Sequence, residues 1–145
     1  MGEPEETRVH PEAVSVRSAY LAARALMGPM SAGAGAILVF VGALDRGQSL
    51  PLPAAFAASQ GALGALAMAL AKELGPAQIR SNLLVSGLLD GGISRALSPK
   101  LREDYLALSA LRRLGRPEEV AKVAAWLLFD NRYLSGKTVT VNGGI

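Results

Sequence analysis

Residues 51–87 read PLPAAFAASQGALGALAMALAKELGPAQIRSNLLVSG, and this stretch decides the fold. Ala54 to Leu74 is built almost entirely from Ala, Leu, Met and other good helix formers, and Gly75-Pro76 supplies the stop. The following run, IRSNLLVSG, reads as a buried strand over 80–86, the kind a parallel sheet covers from both sides. A helix leading directly into a doubly buried strand is half of a layered α/β unit.

Upstream, AILVFV at 36–41 is a second run of the same kind, and KTVTVNGG places a third strand at 137–141. Pro11 and EAVSVRSAYLAARALM form a helix that Gly28-Pro29 should stop, with MSAGAGA as a joint to the first strand. A Gly/Pro/Ser-rich loop covers 42–53. LSPKLREDYLALSAL reads as two short helices, and RPEEVAKVAAWLLFD as a longer one opened by Pro117 and two glutamates. This alternation predicts an α/β fold with a short parallel sheet of three strands, 36–41, 80–86 and 137–141, flanked by helices. Residues 1–10 read as a polar tail and 11–145 as one domain.

Composition narrows the function classes. The chain has no cysteine and one histidine, His10, which removes thiolate chemistry and leaves no ligand set for zinc or any other metal. A net charge of +3 with scattered basic residues argues against nucleic acid, and the group Arg112, Arg113 and Arg116 reads as a solvated loop, the bolder alternative being a dock for a phosphate-bearing carrier or coenzyme. The acidic start MGEPEETR is neither a secretory signal nor an acylation site. The stretch Gly61–Ala71 is too short to span a bilayer, so a cytoplasmic protein without membrane contact is expected.

Polar side chains on the long helix are limited to Ser59, Gln60, Lys72 and Glu73. A helix apolar on every side is buried on every side, which three strands cannot achieve alone. A second surface, most simply another subunit, is expected to cover it. The edge of AILVFV needs covering too. Trp126, Tyr20 and Tyr105 read as packing residues, Asn82 as a partner of local backbone groups, and Asn142-Gly143-Gly144 as a closing turn that docks on a neighbour or simply ends the chain.

The runs GAILVFVG, FAASQGALGALAMALAKEL, IRSNLLVSGLLDGGI, RLGRPEEVAKVAAWLLFD and YLSGKTVTVNGG, taken in order, resemble the second half of a short-chain dehydrogenase/reductase of the 3-oxoacyl-(acyl-carrier-protein) reductase branch. The resemblance spans residues 14–145 and implies a truncated Rossmann-like fold. In that family an Asn, a Ser and a Tyr with a Lys four residues on move the proton. Carried over by position, the Asn falls on Val14, the Ser on Gly42, the Tyr on Phe56 and the Lys on Gln60. The loop at Gly42 is one residue longer than in that branch, but Val41 and Ala43 carry no hydroxyl either. The family's Pro-Gly turn and its Thr become Ser86-Gly87 and Gly91. Tyr133 and Lys137 reproduce the Tyr-x-x-x-Lys spacing, but Gly136 interrupts any helix that would bring them together.

The resemblance therefore implies no catalytic residues, no bound cofactor and no metal. GPMSAGAG follows a helix and precedes a strand, the reverse of a dinucleotide cradle. The reading is a catalytically silent relative acting as an oligomerising structural or regulatory subunit. It would form a homo-oligomer, or a hetero-oligomer with a full-length family member, through the helices 11–28 and 54–74. One alternative is an NAD(P)-dependent oxidoreductase completed by a partner chain. The other is a binding module for an apolar molecule or acyl chain in a pocket between Gly42, Phe56 and Leu88.

Overall fold

The computed structural model describes residues 13–33, 35–43 and 53–145; the polar tail, the helix start at Pro11 and most of the 42–53 loop lie outside them. Three strands form the sheet: β1 (Ala36–Ala43), β2 (Ile79–Ser86) and β3 (Thr138–Val141), in the order β1-β2-β3. Both pairings are parallel, Ala36 with Ile79 through Ala43 with Ser86, and Leu83 with Thr138 through Ser86 with Val141. The expected α/β class and three-stranded parallel sheet are both present, each strand within two residues of its expected bounds.

The middle strand is covered from both sides, polar residues included. Ile79, Leu83 and Val85 point toward α2 (Ala54–Leu74) and join its core clusters, while Asn82 and Leu84 are fully buried between them in sequence. On the α2 side, Ala23, Leu70, Leu74 and Ile79 form one cluster, flanked by Met27, Met30, Leu38 and Phe40. Leu63, Ala67, Leu83 and Val85 form the next. Across the sheet a π-helical turn, Trp126–Asp130, continues α4 (Pro117–Ala125) and buries Leu127 completely. Between β2 and α4 lie a 3-10 turn, Gly92–Ala96, and α3 (Pro99–Leu108), capped by the Ser98 hydroxyl accepting from the Leu101 amide.

Several details differ from the sequence expectations. The first helix does not stop at Gly28-Pro29: a π-helical turn, Ala13–Arg17, leads into α1 (Ser18–Ser31), with Pro29 inside it. Proline inside a helix forfeits a hydrogen bond, but the continuation carries Met30 onto the core beside Met27, and the Ser31 hydroxyl donates to the Met27 carbonyl. Trp126 is not core but 46% exposed, because Leu127 takes the inward position of the π turn, whose bond runs from the Asn131 amide to the Trp126 carbonyl. Tyr20 is largely exposed beside Arg24, whereas Tyr105 is fully buried as expected.

Asn82 lies within β2 and serves distant backbone rather than local groups. Its Nδ2 donates to the Leu134 carbonyl (2.9 Å) and its Oδ1 accepts from the Lys137 amide (3.1 Å), fixing the loop that delivers β3. As expected, three strands do not by themselves bury the long helix all round. Ser59, Leu63, Ala67, Leu70 and Leu74 make one buried stripe, while Met68 on another side is 54% exposed. By length and composition Ala54–Ala77 could cross a bilayer, contrary to the shorter apolar stretch read from sequence; here its buried stripe packs on the sheet.

Candidate functional site at the carboxyl end of β1

Open parallel sheets place their ligand crevices beyond the carboxyl ends of the strands. At that end of β1 a cleft of about 480 Å³ is bounded by Val14, Ser15, Ser18, Phe40, Gly42 and Gln60, among others. Three elements build it: the helical start before α1, the last residues of β1, and α2. Val14, Gly42 and Gln60, assigned to the Asn, Ser and Lys positions, are thereby brought to one cleft. Phe56 sits one helical turn before Gln60 on α2, half-buried, and is not among the residues that line it.

Gln60 has a definite task. Its Oε1 accepts from the Ala43 amide at 3.0 Å, tying α2 to the end of β1. Gly42 is buried beside it, and a Cβ there would stand 3.0 Å from Gln60 Oε1 and 3.3 Å from Leu83 Cδ1. A serine at this position would therefore crowd the glutamine off its partner. The Ser18 hydroxyl donates back to the Val14 carbonyl within its own helix. None of the described residues lining the cleft has a titratable side chain. Hydroxyls and an amide remain; neither supplies a general acid or base near neutrality.

Ser15 and Ser18 escaped the sequence reading. Their three-residue spacing on a helix, which puts both on one face with Val14, was the available signal. Of the residues expected to frame an apolar pocket, Gly42 lines the cleft at the end of β1 and Phe56 is half-buried on α2. Leu88 lines a separate cavity of about 110 Å³ with Tyr105, Leu111 and Val141.

That smaller region shows what the Ser86-Gly87 turn does. A Cβ on Gly87 would lie 2.0 Å from the Tyr105 hydroxyl and 2.9 Å from Asn142 Cα, so the position admits only glycine. The Tyr105 hydroxyl donates to the Asn142 carbonyl at 3.1 Å, and Ser109 Oγ and the Leu111 amide both donate to the Gly143 carbonyl. Burial pushes the Tyr105 phenol up, against an opposing backbone hydrogen bond from Leu88. The Asn142-Gly143-Gly144 turn is thus docked on its own chain, with both glycines in the left-handed region (φ 74° and 82°).

Tyr133 and Lys137 lie outside any helix. Tyr133 is fully exposed in the loop before β3, so their spacing makes no catalytic pair. Of the basic group, Arg113 makes a bidentate pair with Glu119 (2.6 and 2.8 Å), whose carboxylate also accepts from the Arg116 amide at the start of α4. Those two contacts hold the Glu119 carboxyl down at about 2. The described residues include no group of His, Asp and Glu placed to hold a metal.

Comparison with known proteins agrees with this architecture. The family model described as enoyl-(acyl carrier protein) reductase matches residues 8–145. The 3-oxoacyl-(acyl-carrier-protein) reductase FabG of Chlamydia trachomatis serovar D is 29% identical over 129 residues, 88% of this chain and 52% of that protein. The crystal structure of TT0495 protein from Thermus thermophilus superposes with a TM-score of 0.85 at 31% identity, over 99% of this chain and 64% of the other. A 3-oxoacyl-(acyl-carrier-protein) reductase with bound NAD from Brucella melitensis gives 0.79 at 30% identity, over 91% and 49%. The chain spans about half the length of the reductases it matches. By its fold, its family match and its relatives, the chain belongs to the short-chain dehydrogenase/reductase family, as a 3-oxoacyl-(acyl-carrier-protein) reductase-like member.

Proposed function

We propose that this chain is a non-catalytic member of its family, working as a structural or regulatory subunit of an oligomer. One observation carries the reading: the cleft at the carboxyl end of β1, where its relatives' chemistry belongs, is lined by no titratable side chain among the described residues. Loss of a positioned acid–base group costs about 10²–10⁴ in rate. Phe56 has no hydroxyl to give, and Gln60 has no charge with which to depress a phenol.

The nicotinamide cofactor does not fit this donor set. Gln60 spends its carbonyl oxygen on the Ala43 amide, and among the described residues no cation or carboxylate lines the cleft. The glycine-rich stretch 28–35 runs from α1 into β1 rather than from a strand into a helix, so it presents no helix N-terminus to a pyrophosphate.

Assembly is favoured by what the fold leaves uncovered. Leu21 and Leu26 on α1 and Met68 on α2 are about half exposed, while Val41 and Phe129 on the opposite face are 66% and 69% exposed. Among the described residues β1 has a neighbour on one side only. Exposed apolar patches of this kind mark interaction surfaces. The partner is a second copy or a full-length, active family member, in the cytoplasm.

A second reading, an NAD(P)-dependent reductase completed by a partner chain, draws on the half-length match to the reductases and the open edge of β1. Light scattering and a coupled assay separate the two. The chain is mixed with an active reductase of the family, and NADPH oxidation with a 3-oxoacyl thioester is followed. A stable complex whose turnover is unchanged by Gln60→Ala in this chain supports the subunit reading. A complex whose turnover falls with Gln60→Ala supports completion, and a lone monomer in both mixtures overturns assembly altogether.

A further inference from the structure

The amino ends of β1 and β2 border a second cleft, of about 500 Å³, at the end of the sheet remote from Gly42. Arg80, the second residue of β2, and Arg132, in the loop before β3, both line it, together with Gln78, Tyr133 and Ser135. No aspartate or glutamate is among its described lining residues.

Neither arginine is ion-paired among the described residues, where the pairs are Lys100–Asp104 and Arg113–Glu119. Arg80 is half-buried and gives one N–H to the Leu134 carbonyl at 3.2 Å. Arg132 is exposed. Two guanidinium groups therefore face one polar cleft without a counter-charge. Burial and, secondarily, the Arg132 charge both lower the Arg80 pKa, which is the direction expected of like charges crowded at one site.

We propose that Arg80 and Arg132 form a binding site for the phosphate group of a small molecule. A guanidinium offers a planar fork of N–H donors that matches phosphate oxygens two at a time, and two forks from different elements suit a tetrahedral anion better than a planar carboxylate. The cleft is larger than inorganic phosphate needs, leaving room beside the fully exposed Tyr133 ring for the rest of the molecule. This site stands apart from the proposed subunit role: either can fail without the other.

The test is isothermal titration of the 145-residue chain with inorganic phosphate and, separately, with adenosine monophosphate, at constant ionic strength set with chloride. Saturable binding of both probes is expected, with adenosine monophosphate the tighter if the cleft beside Tyr133 is used and equal if the phosphate alone is held. Arg132→Gln, which breaks no hydrogen bond of the described fold, should weaken both about tenfold or more, and Arg95→Gln, removing the same charge elsewhere, should leave them unchanged. Arg80→Gln should act likewise, with circular dichroism reporting whether its loss of the Leu134 contact disturbs the fold. Absence of saturable binding beyond chloride, or equal affinity in Arg132→Gln, overturns the proposal.

Discussion

The two ends of the sheet differ in the charge of the described side chains that line their clefts. At the carboxyl end of β1, where doubly wound folds keep their ligands, the described lining residues carry no charge and Gln60 is turned onto backbone. At the amino end, two guanidiniums with no ion-pair partner among the described residues line a polar cleft of similar size. The strands themselves are ordinary at both ends, so the difference lies in a few side chains, not in the fold. The packing rests on Leu63, Leu70, Leu83 and Val85, of which Leu63 also lines the carboxyl-end cleft, so core and cleft share a wall there.

The sharpest way to break the comparison is to disturb the scaffold that both ends share. Gly87→Ala puts a methyl into the Tyr105 hydroxyl, and a loss of about 3 kcal/mol in urea unfolding is expected from such overpacking. Asn82→Ala leaves the Leu134 carbonyl and the Lys137 amide without their partner in a buried place. It should cost about 2 kcal/mol and loosen the loop that carries Arg132, visible as faster amide exchange at Lys137.

At the neutral end the effects are smaller. Gln60→Ala removes the tie to Ala43 and should cost about 1 kcal/mol. Gly42→Ser should cost a similar amount, about 1 kcal/mol by crowding the same glutamine. If the two changes are made together, the cost should be less than the sum, since the serine then meets no glutamine.

The smallest effect lies away from both clefts. The Glu119 carboxyl is depressed from its ordinary 4.5 to about 2 by Arg113 and the Arg116 amide. A group whose folded pKa lies below its unfolded one stabilises fully above the unfolded value and loses that contribution as pH falls toward the folded value. Thermal unfolding of the wild type should therefore lose more between pH 4.5 and about 2 than that of Glu119→Gln, with near-parallel curves above that window.

Much of this was legible in the sequence. The long helix is legible because Gly75-Pro76 stops it, and β2 because Leu83, Leu84 and Val85 form an apolar run between that stop and Gly87. The helix through Gly28-Pro29 was not legible: Met27 and Met30 reach a core that sequence alone does not display, and that burial outweighs a proline. Trp126 was misread because a π turn shifts which residue faces the sheet, and local pattern carries no sign of it. At the site, positional resemblance brought Val14, Gly42 and Gln60 to one cleft. The bond from Ala43 to Gln60, and the meeting of Arg80 with Arg132 from distant parts of the chain, are tertiary facts that no local pattern encodes.

The measurement that bears most directly on the central claim is NADPH oxidation by the purified chain alone, with a 3-oxoacyl thioester, compared with Gln60→Ala. The account predicts no turnover above background in either protein, at any chain concentration at which both stay folded. Turnover by the wild type that disappears in Gln60→Ala would contradict it.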